Sequence, residues 1–346
     1  MYCKTLLSSL AIVAAMASTI LFQSCRSNMP DMITLDGEAQ GTYYRIIYVD
    51  PQHHNLQSSI DSLLHVFDMT ASLWEQKSLI RKVNDNRDSV VNEWFADMTE
   101  KSVEMNLFTN GCFDCTIGKI VRAWGFGFAH REDIEMSAID SMMQYCGKQP
   151  TIERAPDGRL IIHKAHGETE IDFNAIAQGY ATDIICQFLE SHDITNYLVD
   201  IGGEVYARGC KPDGTPWKVG VERPATDKES IPEIETTIAL QNQSIVTSGN
   251  YRKYYEKDGI RYSHTIDPST GHPVDHTLLS VSVIDTAAWR ADALATAFMV
   301  MGLEKSLEFI KAHPDDSGMQ AVFFIYNEGG KYMTYATPGF KELINE

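Results

Sequence analysis

The chain reads as an α+β fold forming one compact unit, and three observations lead there. Candidate strands and helices are intermixed without regular β-α-β alternation. No repeat, low-complexity stretch or internal linker divides the 346 residues. Hydrophobic residues make up 44% and charged residues 22%, the balance of an ordinary globular chain.

The N-terminus is read as processing signal. Met1-Tyr2-Cys3-Lys4 is short and basic, Thr5 to Phe22 is apolar, and the small Ser24 precedes Cys25. This resembles a bacterial lipoprotein signal, despite Phe22 and Gln23 where Leu and a small residue are usual. Residues 1–24 are then the signal peptide, 25–38 the lipidated Cys25 with its tether, and 39–346 the working domain. An ordinary signal peptide or a single membrane anchor is the competing reading. In either case the domain is expected to be exported, and as a lipoprotein to face the periplasm.

The elements follow in order. Ala39 to Val49 is β-branched and aromatic and reads as the opening strand. Asn55 to Thr70 sets Leu56, Ile60, Leu63, Leu64 and Phe67 at helical spacing. Ser78 to Asn84 is a short helix or turn, and Trp94 to Asn110 a helix stopped by Asn110-Gly111. Trp124-Gly125-Phe126-Gly127 marks a tight aromatic corner, and Asp140 to Tyr145 a weak helix. Leu160 to His163 and Thr169 to Phe173 read as strands, and Asp172 opens a helix running to about Ser191. Tyr197 to Val205 reads as strand, Gly202-Gly203 turn, strand. Trp217 to Val221, Ile234 to Leu240, Ser244 to Thr247 and Leu279 to Ile284 are further strands. A helix through Thr296 ends near Met301, another spans Leu303 to Ala312, and Ala321 to Tyr326 with Lys331 to Tyr335 closes the chain as a hairpin.

Charge and cysteine content exclude some functions. The formal net charge is −18 with no Lys/Arg stripe, so nucleic-acid binding through a basic face is not expected. A phosphorylated ligand would need a metal or backbone N–H groups to offset this acidity. Beyond Cys3 and Cys25 there are five cysteines, Cys112, Cys115, Cys146, Cys186 and Cys210. Cys112 and Cys115 form a C-x-x-C, but no second pair completes a zinc site, so they read as small core residues rather than redox or zinc ligands.

The chemistry concentrates between Arg261 and Thr296. His264 precedes a turn, Ile266-Asp267-Pro268-Ser269-Thr270-Gly271, whose composition fixes an unusual backbone path. Imidazole there could serve as base or acid near neutral pH. Asp292 and Thr296, four residues apart in a helical run, put a carboxylate and a hydroxyl on one face, hard oxygen donors suited to Mg²⁺. The strand-to-helix passage Asp172 to Asp183 is a plausible anion site, because helix N–H groups point outward there.

Eight short motifs in order resemble the FAD:protein FMN transferase (ApbE) family over Ala39 to Gly302. They are Gln40-Gly41-Thr42, Gly111-Cys112-Phe113-Asp114, Trp124-Gly125-Phe126-Gly127, Ala177-Gln178-Gly179-Tyr180-Ala181, Ile201-Gly202-Gly203, Thr247-Ser248-Gly249, His264 to Pro273, and Ala291 to Thr296. The resemblance implies transfer of FMN from FAD, with Mg²⁺, to a Thr or Ser hydroxyl of a partner protein, releasing AMP. It implies Asp292, Thr296 and the Ala175 carbonyl at the metal and His264 as the base. Gln40, Trp74, Cys112, Phe113, Asp114, Asp172, Gln178 and Ile266 fall at flavin-contacting positions. Implied acceptors are subunits of membrane electron-transfer complexes, such as the sodium-pumping NADH:quinone oxidoreductase or Rnf type. Gln40 stands where Met is common, Trp74 where Tyr is, and Gln178 where many members have Lys, which bears on phosphate affinity. An FAD pyrophosphatase giving FMN and AMP, a flavin-binding lipoprotein without chemistry, and an unrelated binding module remain as alternatives.

Overall fold

The structure is a computed structural model and describes residues 31–126, 136–224, 233–250, 254–257 and 260–344. The signal segment, Cys25 and Gly127 lie outside the described residues. The chain opens with β1 (Met32–Ala39) and β2 (Thr42–Val49), then α1 (Gln57–Ala71), α2 (Leu79–Asn84), β3 (Val90–Val91), α3 (Glu93–Phe108) and α4 (Gly118–Ala123). Next come α5 (Met136–Met143), β4 (Thr151–Arg154), β5 (Leu160–His163), α6 (Ala177–Glu190), β6 (Tyr197–Ile201), β7 (Glu204–Arg208), β8 (Trp217–Glu222), β9 (Ile234–Leu240) and β10 (Gln243–Gly249). The last part holds β11 (Tyr254–Lys257), β12 (Ile260–Ser263), β13 (Ile266–Asp267), β14 (His272–Pro273), β15 (Leu278–Asp285), α7 (Ala288–Ala312), α8 (Ser317–Gln320), β16 (Val322–Glu328), β17 (Lys331–Ala336) and α9 (Pro338–Leu343).

An eight-stranded sheet in the order β1-β2-β6-β7-β10-β15-β16-β17 divides the molecule, every neighbouring pair antiparallel. Successive strand residues face opposite sides, and both sides are buried at the centre. Val246, Val283, Val322 and Phe324 join the core under α1, α3, α6 and α7. Ile245, Ile284, Phe323 and Ile325 face the β8–β9 hairpin and Phe340 of α9. Seven of the eight residues of β15 are buried, the mark of a strand covered on both faces. A third, small cluster of Ile120, Ala123, Ile139 and Ile266 packs α4 and α5 against the β13–β14 hairpin.

Four expectations are corrected. The ordered domain begins by Met32 rather than Ala39, because all eight residues of β1 pair with β2. The segment read as one opening strand is therefore a hairpin, turning at Gln40 (φ 55°) and Gly41 (φ 72°), the double left-handed turn that matches strand twist. Thr169 to Phe173 is not a strand: Asn84 takes both the N–H and the carbonyl of Ile171, Gly118 N–H bonds the Glu170 carbonyl, and Asp172 N–H bonds that of Cys115. With its backbone groups so engaged, only a single bridge to Ile117 forms. The helix expected from Asp172 starts at Ala177. The expected division near Gly302 does occur, as a break inside α7 where Gly302 adopts φ 75°, ψ 172°.

Candidate active site

The N-termini of α6 and α7 meet and cap each other. Neither helix has a side-chain cap from its own N-cap residue. Asp183 of α6 accepts the Ala288 and Trp289 N–H groups, at 3.0 and 2.9 Å, through its two oxygens. Asp292 of α7 accepts the Gly179 N–H through Oδ2 at 3.1 Å. Each carboxylate sits at the positive end of the other helix, satisfying donors left open at a helix start. The approach requires glycine: a Cβ on Gly179 would lie 2.4 Å from the Ala288 carbonyl oxygen and 2.9 Å from Asp292 Cβ. Burial pushes the Asp292 carboxyl up to about 7, opposed by the Gly179 hydrogen bond and reinforced by the charge of Asp183.

Around this junction three oxygens are available to a cation. Gly179 N–H does not return to Ala175, and among the described residues the Ala175 carbonyl accepts no hydrogen bond. Thr296 lies one turn beyond Asp292, its hydroxyl 3.4 Å from that of Ser248 at the end of β10. Among the described residues no group of three or more His, Cys, Asp or Glu side chains could hold a metal. A cation here would rest on one carboxylate, one carbonyl and one hydroxyl, a donor set that fits Mg²⁺ and not zinc.

The β1–β2 turn and the β6–β7 turn lie against the start of α6. A Cβ on Gly202 (φ 68°) would lie 2.7 Å from both Gln178 Nε2 and Thr42 Cγ2, so these three residues are in contact. Gln40 holds a left-handed backbone conformation uncommon outside glycine, and its side-chain Nε2 is buried with no hydrogen-bond partner among the described residues. A strained residue with an orphaned donor is a feature that a polar ligand would satisfy. Gln40 N–H also reaches the Asp68 carboxylate of α1.

Asp172 is buried, accepts the Asn174 N–H at 2.8 Å, and is pushed up to about 6 by burial. Asp114 is also buried, with Oδ1 taken by Thr116 N–H, the Thr116 hydroxyl and Gln149 Nε2 at 2.7, 2.7 and 2.8 Å. Trp74 is 58% exposed, free to present a ring face. Phe113 and Ile266 differ: both side chains are buried in hydrophobic clusters, so a ligand would meet their main chain. Cys112 is half-buried near Asp267, and burial, then that charge, raise its thiol. All five described cysteines are free thiols.

His264 sits between Ser263 and Thr265, whose hydroxyls both donate to Asn250 Oδ1, at 2.6 and 2.7 Å. Asn250 follows directly on β10, two residues past Ser248, and this brings the histidine loop to the strand end that touches Thr296. The aromatic corner supports the hairpin: Trp124 Nε1 donates to the Gly271 carbonyl at 2.8 Å, and the Phe126 ring meets the His264 ring edgewise, centroids 6.3 Å apart. Sequence reasoning singled out neither Asn250 nor Asp68, which carry no motif. Asp183 had a usable signal, standing four residues after Gly179 and hence on the same helix face. Two surface clefts of about 460 and 390 Å³ contain none of the residues singled out from the sequence, and Asp183 lines the second. In the first, the Lys164 ammonium is tied to the carbonyls of Val83, Asn84, Gly167 and Thr169.

Residues 40–323 match the model of the ApbE family. The chain is 32% identical over 341 residues to a Vibrio cholerae protein named FAD:protein FMN transferase, covering 96% of this chain and 99% of that one. It is also 32% identical to the Escherichia coli protein of that name, covering 96% and 97%. Among solved structures, the flavin transferase ApbE from Vibrio cholerae superposes with a TM-score of 0.77 at 31% identity, covering 90% of this chain and 99% of that one. The apo form of Pseudomonas stutzeri flavinyl transferase ApbE also scores 0.77, at 30% identity and 90% and 96% coverage.

Proposed function

This chain belongs to the ApbE family, and on that premise we propose that it transfers the FMN moiety of FAD to a Thr or Ser hydroxyl of a partner flavoprotein, with Mg²⁺, releasing AMP. The observation that carries this reading is the helix junction, where Asp292 meets the start of α6 and Thr296 stands one turn further along α7 beside Ser248. Mg²⁺ held by Asp292, Thr296 and the Ala175 carbonyl would offset pyrophosphate charge and stabilise the charge developing in phosphoryl transfer. Gln178, Gly202 and Thr42 form the adjoining wall, and the orphaned Gln40 amide supplies a donor to the flavin.

In the reaction, the acceptor hydroxyl oxygen bonds to the FMN phosphorus as the bond from that phosphorus to the bridging oxygen breaks. AMP leaves with the bridging oxygen, and His264 takes the hydroxyl proton. A hydroxyl attacks poorly unless a base removes its proton, and His264 is held by the Asn250 contacts on the side of Thr296. Trp74 offers an exposed ring for stacking, and Asp114 and Asp172 offer carboxylates to ring or ribose.

The acceptors proposed are subunits of membrane electron-transfer complexes, of the sodium-pumping NADH:quinone oxidoreductase or Rnf type. The chain is proposed to be an exported lipoprotein, anchored through Cys25 and facing the periplasm. The test is intact mass of a Thr-bearing acceptor domain after incubation with the protein, FAD and Mg²⁺, with AMP followed in parallel. A gain of one FMN less water, abolished by chelator, is expected. AMP release without mass gain on several acceptors would replace this reading with FAD pyrophosphatase, and no AMP would leave a flavin binder.

A further inference from the structure

The helix segment bearing Asp292 and Thr296 is held at both ends by side chains from elsewhere in the fold. Asp183 holds its N-terminus. At the other end the helix is kinked at Gly302, whose backbone leaves the helical region. In an unbroken helix the Met299 carbonyl would bond the N–H of residue 303; here it is met by His276 Nε2 at 2.8 Å. Ser306 Oγ serves the Gly302 and Phe298 carbonyls, at 2.6 and 3.3 Å. The break and the histidine are fitted to each other, since a Cβ on Gly302 would lie 3.0 Å from His276 Cδ2.

His276 belongs to the same strap as His264. Val274 N–H bonds the Thr265 carbonyl at 3.0 Å, and Asn327 N–H bonds that of Thr277 at 2.9 Å, so the strap is pinned on both sides of His276. A carbonyl only accepts, so Nε2 is the donor in this contact. Among the described residues Nδ1 is buried without a partner. A leucine would fill the space without that penalty, so what the histidine adds is its Nε2–H donor.

We propose that His276 is a positioning residue that fastens the Asp292–Thr296 segment of α7 to the strap carrying His264, setting the metal-binding oxygens in register with the base. The inference rests on the proposed function for its consequence, and on the hydrogen-bond geometry alone for the clamp. The test compares His276→Phe, which keeps a ring without the donor, with His276→Gln, whose amide nitrogen can donate from a similar reach. Both are made in the full chain. Hydrogen exchange of amides 288–301, without FAD or metal, reports the clamp; the Mg²⁺ concentration for half-maximal transfer reports its consequence.

His276→Phe is expected to speed exchange across 288–301 and to raise half-saturating Mg²⁺ roughly 10-fold, the scale of a lost outer-sphere partner, with kcat at saturating Mg²⁺ largely retained. His276→Gln should restore both. Wild-type exchange in the Phe variant, or a Gln variant no better than Phe, would overturn the clamp. Faster exchange with unchanged Mg²⁺ dependence would overturn the positioning role. If His276→Phe fails to fold, Ser306→Ala loosens the same end and should give the same pattern at smaller amplitude; a wild-type result there overturns the clamp. Metal-independent transfer by the wild-type chain would instead overturn the metal assignment, leaving the exchange result to decide the clamp.

Discussion

Asp292 and His264 lie on either side of one proposed reaction, and the protein builds their surroundings differently. Asp292 is 5% exposed, takes its hydrogen bond from a backbone N–H, and sits where only a glycine admits the neighbouring helix. His264 is half-buried, and its loop is placed by the hydroxyls of Ser263 and Thr265 on Asn250 and by an aromatic edge. Backbone geometry in a dry junction is set by the fold itself, whereas side-chain placement can adjust. The contrast suits a site whose nucleotide side is fixed in advance and whose other side admits a protein hydroxyl.

Substitutions break this comparison in graded steps. Asp292→Ala removes the one charged oxygen donor, and metal-stimulated turnover is expected to fall by roughly 10³-fold, on the scale of lost transition-state charge stabilisation. Unchanged Mg²⁺ dependence in steady-state assays would place the metal elsewhere. His264→Ala should cost roughly 10²-fold in transfer while FAD binding, followed by flavin fluorescence, stays as in wild type. Equal activity would move the base to another group. Gly179→Ala attacks the junction through packing alone; an overpacked contact costs roughly 1–3 kcal/mol, so the melting temperature should fall by several degrees. A variant melting with the wild type would show that the helices can separate freely.

Two smaller effects sharpen the same contrast. Gln178→Lys places a cation beside the Gly202 turn and should tighten FAD binding by roughly tenfold, with a steeper salt dependence than the wild type. Equal affinity would mean that phosphate charge is neutralised elsewhere. Asp183 is pushed by burial from 3.8 up to about 6. The folded protein therefore holds a proton that the unfolded chain releases in this window. The stability from this group is fully present below about pH 4 and is lost as pH rises through about 6. Asp183→Asn should flatten unfolding free energy against pH between 4 and 6 by up to one proton. An unchanged slope would mean that Asp183 is already ionised throughout.

The residues proposed to carry the chemistry stand out in the chain because each is flanked by unusual local composition. Asp267-Pro268 with Gly271 announces a turn after His264, and Asp292 and Thr296 declare a shared helix face by spacing alone. What escaped was non-local. β1 carries Asp36, Gly37 and Glu38, a polar run that looks like tether until β2 supplies its ladder. Thr169 to Phe173 has the composition of a strand, but Asn84, 87 residues away, takes the backbone groups of Ile171. Mutual capping by Asp183 and Asp292 is likewise invisible in either helix taken separately. The buried placement of Phe113 and Ile266 was also unavailable, since an aromatic or β-branched residue near a site motif reads equally well as ligand contact or packing.

The early start of the sheet also sets a leash. If Cys25 carries the proposed lipid, seven peptide steps separate it from Met32, the first residue of an edge strand of the main sheet. At about 3.5 Å per step, those residues span at most about 25 Å. The body of the protein would then patrol a shallow layer over the membrane, able to pivot about that edge but not to travel far from the lipid surface. Acceptor hydroxyls displayed close to a bilayer would fall within its reach.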